Sequence, residues 1–368
     1  MTWIIVVVIA VLGFWATARF YLGGGDLSRF DLPAFEPINR APSQENDAVL
    51  ASVREFAQAA DAGGGRRERL ERLRQAMDGM GEQADLTGVI ITPASVAGRP
   101  AEWVTADAGN SVGRLLYLHG GAFTMGSPLS HRGITSELAR RAHLDVLAID
   151  YRLMPEHARL AGVEDCRAAY RWILENGPDG TGASDAVFVA GDSAGGNLAL
   201  ALIAWIRDQR RAGDRALSQV DGAIALSPLT DATFASPSLS YNLDHDPMLG
   251  PMVRQIMRIP RSLMLWGTWL QNRLRPSDPL LSPVRGDLAG LPPVLVQASE
   301  AEILIDDARR YVNKARTSGS PAELETWHGM VHVWQAFGQG LPESEQAFER
   351  MAAFVRRILE TRGQADAA

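Results

Sequence analysis

Gly191-Asp192-Ser193-Ala194-Gly195-Gly196-Asn197 decides the reading of this chain. It follows a short apolar run, Ala186 to Ala190, that reads as a buried strand. It opens onto Leu198 to Ile206, which reads as a buried helix. A serine between glycines at a strand-to-helix turn is the nucleophile-elbow pattern. Gly191 and Gly195 let backbone segments pass where side chains would collide. The turn lifts the Ser193 hydroxyl above a sheet edge, at the positive end of a helix dipole. There the backbone N–H of Ala194 can meet a forming oxyanion.

Outward from the elbow, short apolar runs recur: Leu115 to Leu118, Val146 to Ile149, Val187 to Val189, Ala223 to Leu226, Val294 to Gln297 and Leu324 to Trp327. Helical patterns separate them, which predicts a mostly parallel sheet covered by helices on both faces. Val89 to Thr92 and Glu102 to Thr105 add a hairpin-like pair, for eight strands in an α/β fold. Sites in such sheets lie at the carboxyl ends of the strands.

His119-Gly120-Gly121-Ala122-Phe123 stands at one of those ends. Its glycines allow the amides of Gly120 and Gly121 to join Ala194 in a three-donor oxyanion hole; one such donor contributes about 2.7–4 kcal/mol to the transition state. His119, on the donor side, is expected to hydrogen-bond the loop rather than act as a base. Serine needs a base, and with an elbow of this kind the order along the chain is Ser, then acid, then His. Only His328 and His332 of the seven histidines follow the last predicted strand. His332 lies in the loop that can reach back over the elbow, and His328 reads as structural. The acid belongs after Val294 to Gln297, where spacing leaves Glu300 and Glu302 both open. Asp306 and Asp307 read as solvated first-turn charges of the next helix.

At 368 residues with 46% hydrophobic content, the chain has material for a large core. A net charge of −7 and a pI near 5.6 argue against nucleic acid as a partner. Cys166, the only cysteine, cannot form an intrachain disulfide and reads as a packed core thiol.

Thr2 to Ala18 carries no charge and is rich in Ile, Val, Leu, Phe and Trp. Its length of about 25 Å approaches a hydrocarbon core of about 30 Å, and Phe20 to Leu22 extend it. Residues 2–22 therefore read as one membrane anchor; a signal peptide cleaved near Ala16-Thr17-Ala18 and an apolar helix lying on the catalytic domain are the rivals. Arg19 and Arg29 follow the segment and nothing basic precedes it, which favours a cytoplasmic body at the inner membrane over an exported one. Residues 23–86 read as a linker to Pro42 and then two helices, Ser43 to Ala62 and Arg66 to Met80. The first carries Val49, Leu50, Val53 and Phe56 at helical spacing. The second has five arginines and two glutamates within Arg66 to Arg74, read as the solvated face of a lid helix.

Jointly, His119 to Phe123, Asp150-Tyr151-Arg152-Leu153-Met154-Pro155-Glu156-His157, Gly191 to Gly196 and Gly329-Met330-Val331-His332-Val333-Trp334 resemble the bacterial hormone-sensitive-lipase-like carboxylesterases. The resemblance covers residues 87–368. It implies an α/β-hydrolase fold and a serine hydrolase that takes small-molecule esters of short to medium acyl length, with no metal or cofactor. It also implies His332 as triad base, and a helical cap made of the N-terminal helices plus an insertion at about 234–275. Laid over the family's acid motif, Glu302 takes the acid position, where Asp is common. Where the family usually continues with a Pro-Phe-Pro-like run, this chain has Ala158-Arg159-Leu160, a departure expected to reshape one pocket wall. Met248, Met252, Met257, Met264, Trp266 and Trp269 in the insertion serve either an acyl pocket or the packing of the cap. The same machinery would serve an amidase or lactonase. A non-catalytic ligand receptor on this fold typically lacks one triad residue, and here all three types are present.

Overall fold

The computed structural model describes residues 2–33, 35–61, 63–338 and 340–366. Eight strands form the central sheet: β1 Val89–Val96, β2 Arg99–Ala106, β3 Arg114–Leu118, β4 Asp145–Ile149, β5 Val187–Asp192, β6 Gly222–Leu226, β7 Val294–Ser299 and β8 Ala322–Trp327. Their spatial order is β1-β2-β4-β3-β5-β6-β7-β8. β1 and β2 are antiparallel to their neighbours, and every pairing from β4 to β8 is parallel. This is the α/β-hydrolase sheet expected above.

Alternation within the apolar runs explains the layers. Leu116 and Leu118 of β3 face one buried cluster, with α5 (Arg159–Ile173), α6 (Ser193–Arg211) and α10 (Ile305–Thr317). Leu115 and Tyr117 face the other, with α4 (Arg132–Ala142) and α11 (Pro342–Asp366). Both faces are dry, so the strands need no polar side. Cys166 is a buried member of the first cluster, as expected.

Residues 2–22 form one continuous helix, α1 (Thr2–Ala16) and a π-helical turn, Thr17–Leu22. It is long and apolar enough to cross a membrane, and almost none of it is buried. Its second half docks: Ala18 and Leu22 pack against Leu265, and Phe14 stacks on Trp266. The stretch from Gly23 to Pro42 is not the free linker of the sequence reading. Asp31 pairs with Arg310, the Phe30 carbonyl accepts from Asn313 (2.9 Å), and Ile38 N–H donates to the Thr326 carbonyl (2.8 Å).

Above the strand ends sit α2 (Asn46–Asp61), α3 (Arg66–Glu82) and the insertion helices α7 (Ser238–Tyr241), α8 (Leu249–Val253) and α9 (Arg261–Asn272). Val49, Leu50 and Val53 of α2 pack on Trp327 and Trp334; Ala62 and the Phe56 side chain lie outside the described residues. The arginine-rich face of α3 is only partly solvated. Arg74 forks onto Glu156 (2.9 Å twice) and reaches the Thr124 carbonyl (2.8 Å), which fastens α3 to the loops around the site.

Candidate active site

Every element of the site leaves the carboxyl end of a strand. Ser193 follows β5 with φ +50°, a left-handed conformation that serine occupies only under constraint. The constraint is close packing. A Cβ on Gly195 would stand 1.9 Å from the Leu118 carbonyl, and one on Gly191 would stand 2.5 Å from Gly195. No larger residue fits either position, which explains both glycines of the elbow.

His332, in the loop after β8, is buried, with Nδ1 2.6 Å from Glu302 Oε2. Glu302 is held in turn by the Ser227 hydroxyl (2.8 Å) and the Ser299 N–H (2.6 Å), both on Oε1. Among the described residues His332 Nε2 has no partner, although it is buried. Ser193 and His332 line the same cavity of about 120 Å³. Burial lowers the imidazolium's stability, but the Glu302 contact more than reverses this, so the His332 pKa stands above its ordinary 6.5. Glu300, the alternative left open by spacing, instead pairs with Arg309. His328 is exposed and tied to Asn39 through its backbone (2.6 Å), in keeping with a structural role.

The loop after β3 corrects one expectation. Gly120 N–H is not open to an oxyanion, because it donates to the Asp192 carboxylate (2.9 Å). A Cβ on Gly120 would lie 2.0 Å from that carboxylate, so the glycine is needed for the approach and not for catalytic donation. Gly121 (φ +107°) and Ala122 (φ +53°) of this loop line the cavity with Ser193. Ala194 N–H, in the first turn of α6, has no intrahelical acceptor.

Beneath this loop lies a polar network absent from the sequence reading. Asp192 accepts from Tyr117 Oη (2.7 Å) and sits 3.4 Å from His131 Nε2. Burial alone would raise the Asp192 carboxyl; His131 and Tyr117 reverse this and hold it below its ordinary value. Burial would lower His131, and Asp192 in turn raises it. His119 is stacked on Tyr151 at 4.2 Å with Nδ1 2.8 Å from the Gly120 carbonyl. Burial and the neighbouring His131 push its pKa down to about 3, so it stays neutral and fixes the loop. The sequence signal for the network was Asp192 itself, an acid in the middle of a buried turn.

The Ala158-Arg159-Leu160 departure does not reshape the cavity wall. Arg159 is buried beneath the loop, 3.6 Å over the Phe123 ring and 2.7 Å from Asn197 Oδ1. The insertion's methionines divide. Met248 and Met252 line the cavity, joined by Met77, Met80 and Met125. Met257 packs near Ile303, Met264 is buried, and Trp266 and Trp269 pack around Leu265. A second cavity of about 620 Å³ shares Met80, Met248 and Phe337 with the first and extends toward Glu55, Glu137 and Arg140.

Asp306 and Asp307 are a second correction, since both are buried. Asp307 accepts from Thr230 N–H (2.7 Å), Asp231 N–H (2.8 Å) and the Ser236 hydroxyl, and Asp306 accepts from Ser238 N–H (2.8 Å). Together they clamp the segment from Thr230 to Ser238 onto α10. Asp307→Ala is expected to destabilise the fold by about 1–3 kcal/mol for each donor left unpaired. Asp307→Asn can keep both N–H bonds on one oxygen and donate to Ser236, so chemical denaturation should rank it well above the alanine variant.

The profile of a family described as alpha/beta hydrolase fold matches residues 115–336. An acetyl-hydrolase of Streptomyces hygroscopicus is 38% identical over 257 residues, 70% of this chain and 79% of that protein. An esterase of Acinetobacter venetianus is 33% identical over 73% of this chain and 83% of its own length. The crystal structure of an esterase from the bacterial hormone-sensitive lipase family superposes with a TM-score of 0.71 at 36% identity, over 86% of this chain and 99% of that one. The chain belongs to the α/β-hydrolase family and, within it, to the bacterial hormone-sensitive-lipase-like esterases.

Proposed function

We propose that this protein is a membrane-anchored serine carboxylesterase that cleaves small esters of short to medium acyl chain through an acyl-enzyme. The observation that carries the reading is His332: one ring nitrogen sits on Glu302, while the other is buried, unpartnered and beside Ser193 in one cavity. In this mechanism Ser193 Oγ attacks the ester carbonyl and gives its proton to His332 Nε2, and Glu302 holds the Nδ1–H tautomer. The N–H groups of Gly121, Ala122 and Ala194 stabilise the oxyanion, with Ala122 in the place first expected for Gly120. His332 then protonates the leaving alcohol, and water repeats the sequence to release the acid.

The small, methionine-lined cavity at Ser193 supports a short acyl group, and the larger neighbouring cavity has room for a bulkier alcohol portion. The anchor reading is supported by an exposed apolar helix whose end, at the site where a signal peptidase would cut, is seated on the cap. The test is kcat/KM across p-nitrophenyl esters from acetate to palmitate in detergent-solubilised full-length protein. The profile should peak at short chains and fall toward palmitate; a peak at palmitate would refute the short-acyl assignment, and no turnover of any ester would refute the activity.

His332 must be neutral to act as base, so kcat/KM is lost as pH falls through its pKa. Because that pKa is raised, the acid limb is expected above pH 6.5. A limb well below 6.5 would contradict the Glu302 contact.

A further inference from the structure

Phe14 lies eight residues before Leu22, the end of the apolar helix, and therefore about 12 Å along it. Its ring stacks on Trp266 of the cap helix α9 at 5.1 Å, and the Trp266 indole N–H donates to the Phe14 carbonyl at 3.3 Å. If residues 2–22 span a bilayer, Phe14 lies well inside the hydrocarbon. Whatever touches it lies at that depth.

The outer face of α9 suits such a position. Leu263 and Leu270 share a helix face with Trp266, at helical spacing, and are 50% and 54% exposed. Ile256 and Ile259, just before α9, are exposed as well. From Pro247 to Ser277 there is no acidic residue, while the segment holds five arginines, in a chain whose net charge is −7. An apolar face flanked by arginines is the composition of a helix that lies in the headgroup region, with its apolar side about 5–10 Å into the acyl boundary.

We infer that the outer face of α9 and the turn before it form a second membrane contact, seated in an anionic phospholipid leaflet beside the anchor. The inference rests on the anchor reading. The same insertion supplies Met248 and Met252 to the cavity at Ser193, so the cap wall that meets the substrate is continuous with the wall that meets the bilayer. Esters dissolved in the membrane are then a substrate source open to this enzyme.

The experiment uses the full chain in phosphatidylglycerol-containing vesicles with brominated acyl chains. A polarity-sensitive fluorophore is placed through single substitutions Leu263→Cys, Leu270→Cys, Ile9→Cys or Arg215→Cys, with Cys166→Ala in the background. Ile9 reports the anchor, and Arg215, beyond the far end of α6, reports water. Quenching at positions 263 and 270 should approach that at position 9, while position 215 stays unquenched. Quenching at 9 with none at 263 and 270 would overturn the cap contact and leave the anchor standing. No quenching at 9 would remove the anchor, and the cap contact with it. Leu263→Glu with Leu270→Glu should lower turnover of p-nitrophenyl decanoate partitioned into vesicles by about tenfold or more, and leave p-nitrophenyl acetate in solution unaffected. An equal loss on both esters would overturn the inference.

Discussion

Ser193→Ala is expected to lower kcat for p-nitrophenyl acetate about a million-fold, the scale on which a triad nucleophile acts when its partners stay in place. The size follows from the division of labour. His332 and Glu302 exist in the mechanism to activate one hydroxyl, and without it their proton relay has nothing to serve. The fold should not suffer. Ser193 Oγ makes no hydrogen bond among the described residues, and alanine bears the positive φ at this position at about the same cost as serine. An unchanged melting temperature alongside lost turnover separates catalysis from folding. Appreciable turnover by a folded alanine variant would move the nucleophile elsewhere.

Glu302→Gln is expected to cost about 10⁴-fold in kcat, because the amide can present its NH₂ to His332 Nδ1 and so favour the wrong tautomer. Two further readouts distinguish this from general damage. The acid limb of the pH profile should move down, since the carboxylate that raises the His332 pKa is gone. Glu300→Gln should change kcat by only about two- or threefold, the loss of a partly exposed pair with Arg309. A larger effect at 300 than at 302 would contradict the assigned acid.

The layers and the elbow were legible because local pattern determines them. Continuous apolar runs of four to six residues mean strands covered on both faces, and glycines around Ser193 mean a turn that nothing larger fits. The choice between Glu300 and Glu302 was not legible from spacing, since both fall within reach of the loop after β8. The His332 contact singles out Glu302, and Ser227, which follows a different strand, helps to hold it there. The same reason explains Gly120. Its N–H is engaged by Asp192, a residue 72 positions away, which counting glycines along the chain does not reveal. Asp306 and Asp307 misled for the opposite reason: acids in a first helical turn are usually solvated, and here the segment from Thr230 to Ser238 folds down over them. The Gly23 to Pro42 stretch has a linker's composition, but its ordering depends on Arg310 and Asn313 of α10, far along the chain.

In the proposed mechanism Ser193 carries the acyl group between two half-reactions. The most direct measurement is acid quenching of the full-length enzyme during turnover of p-nitrophenyl acetate, followed by peptide mass spectrometry. An acetyl group is expected on the peptide containing Ser193, at that hydroxyl, in wild type. No acetyl should appear in Ser193→Ala. An acetyl group at another residue that forms and decays at the rate of turnover would contradict this mechanism.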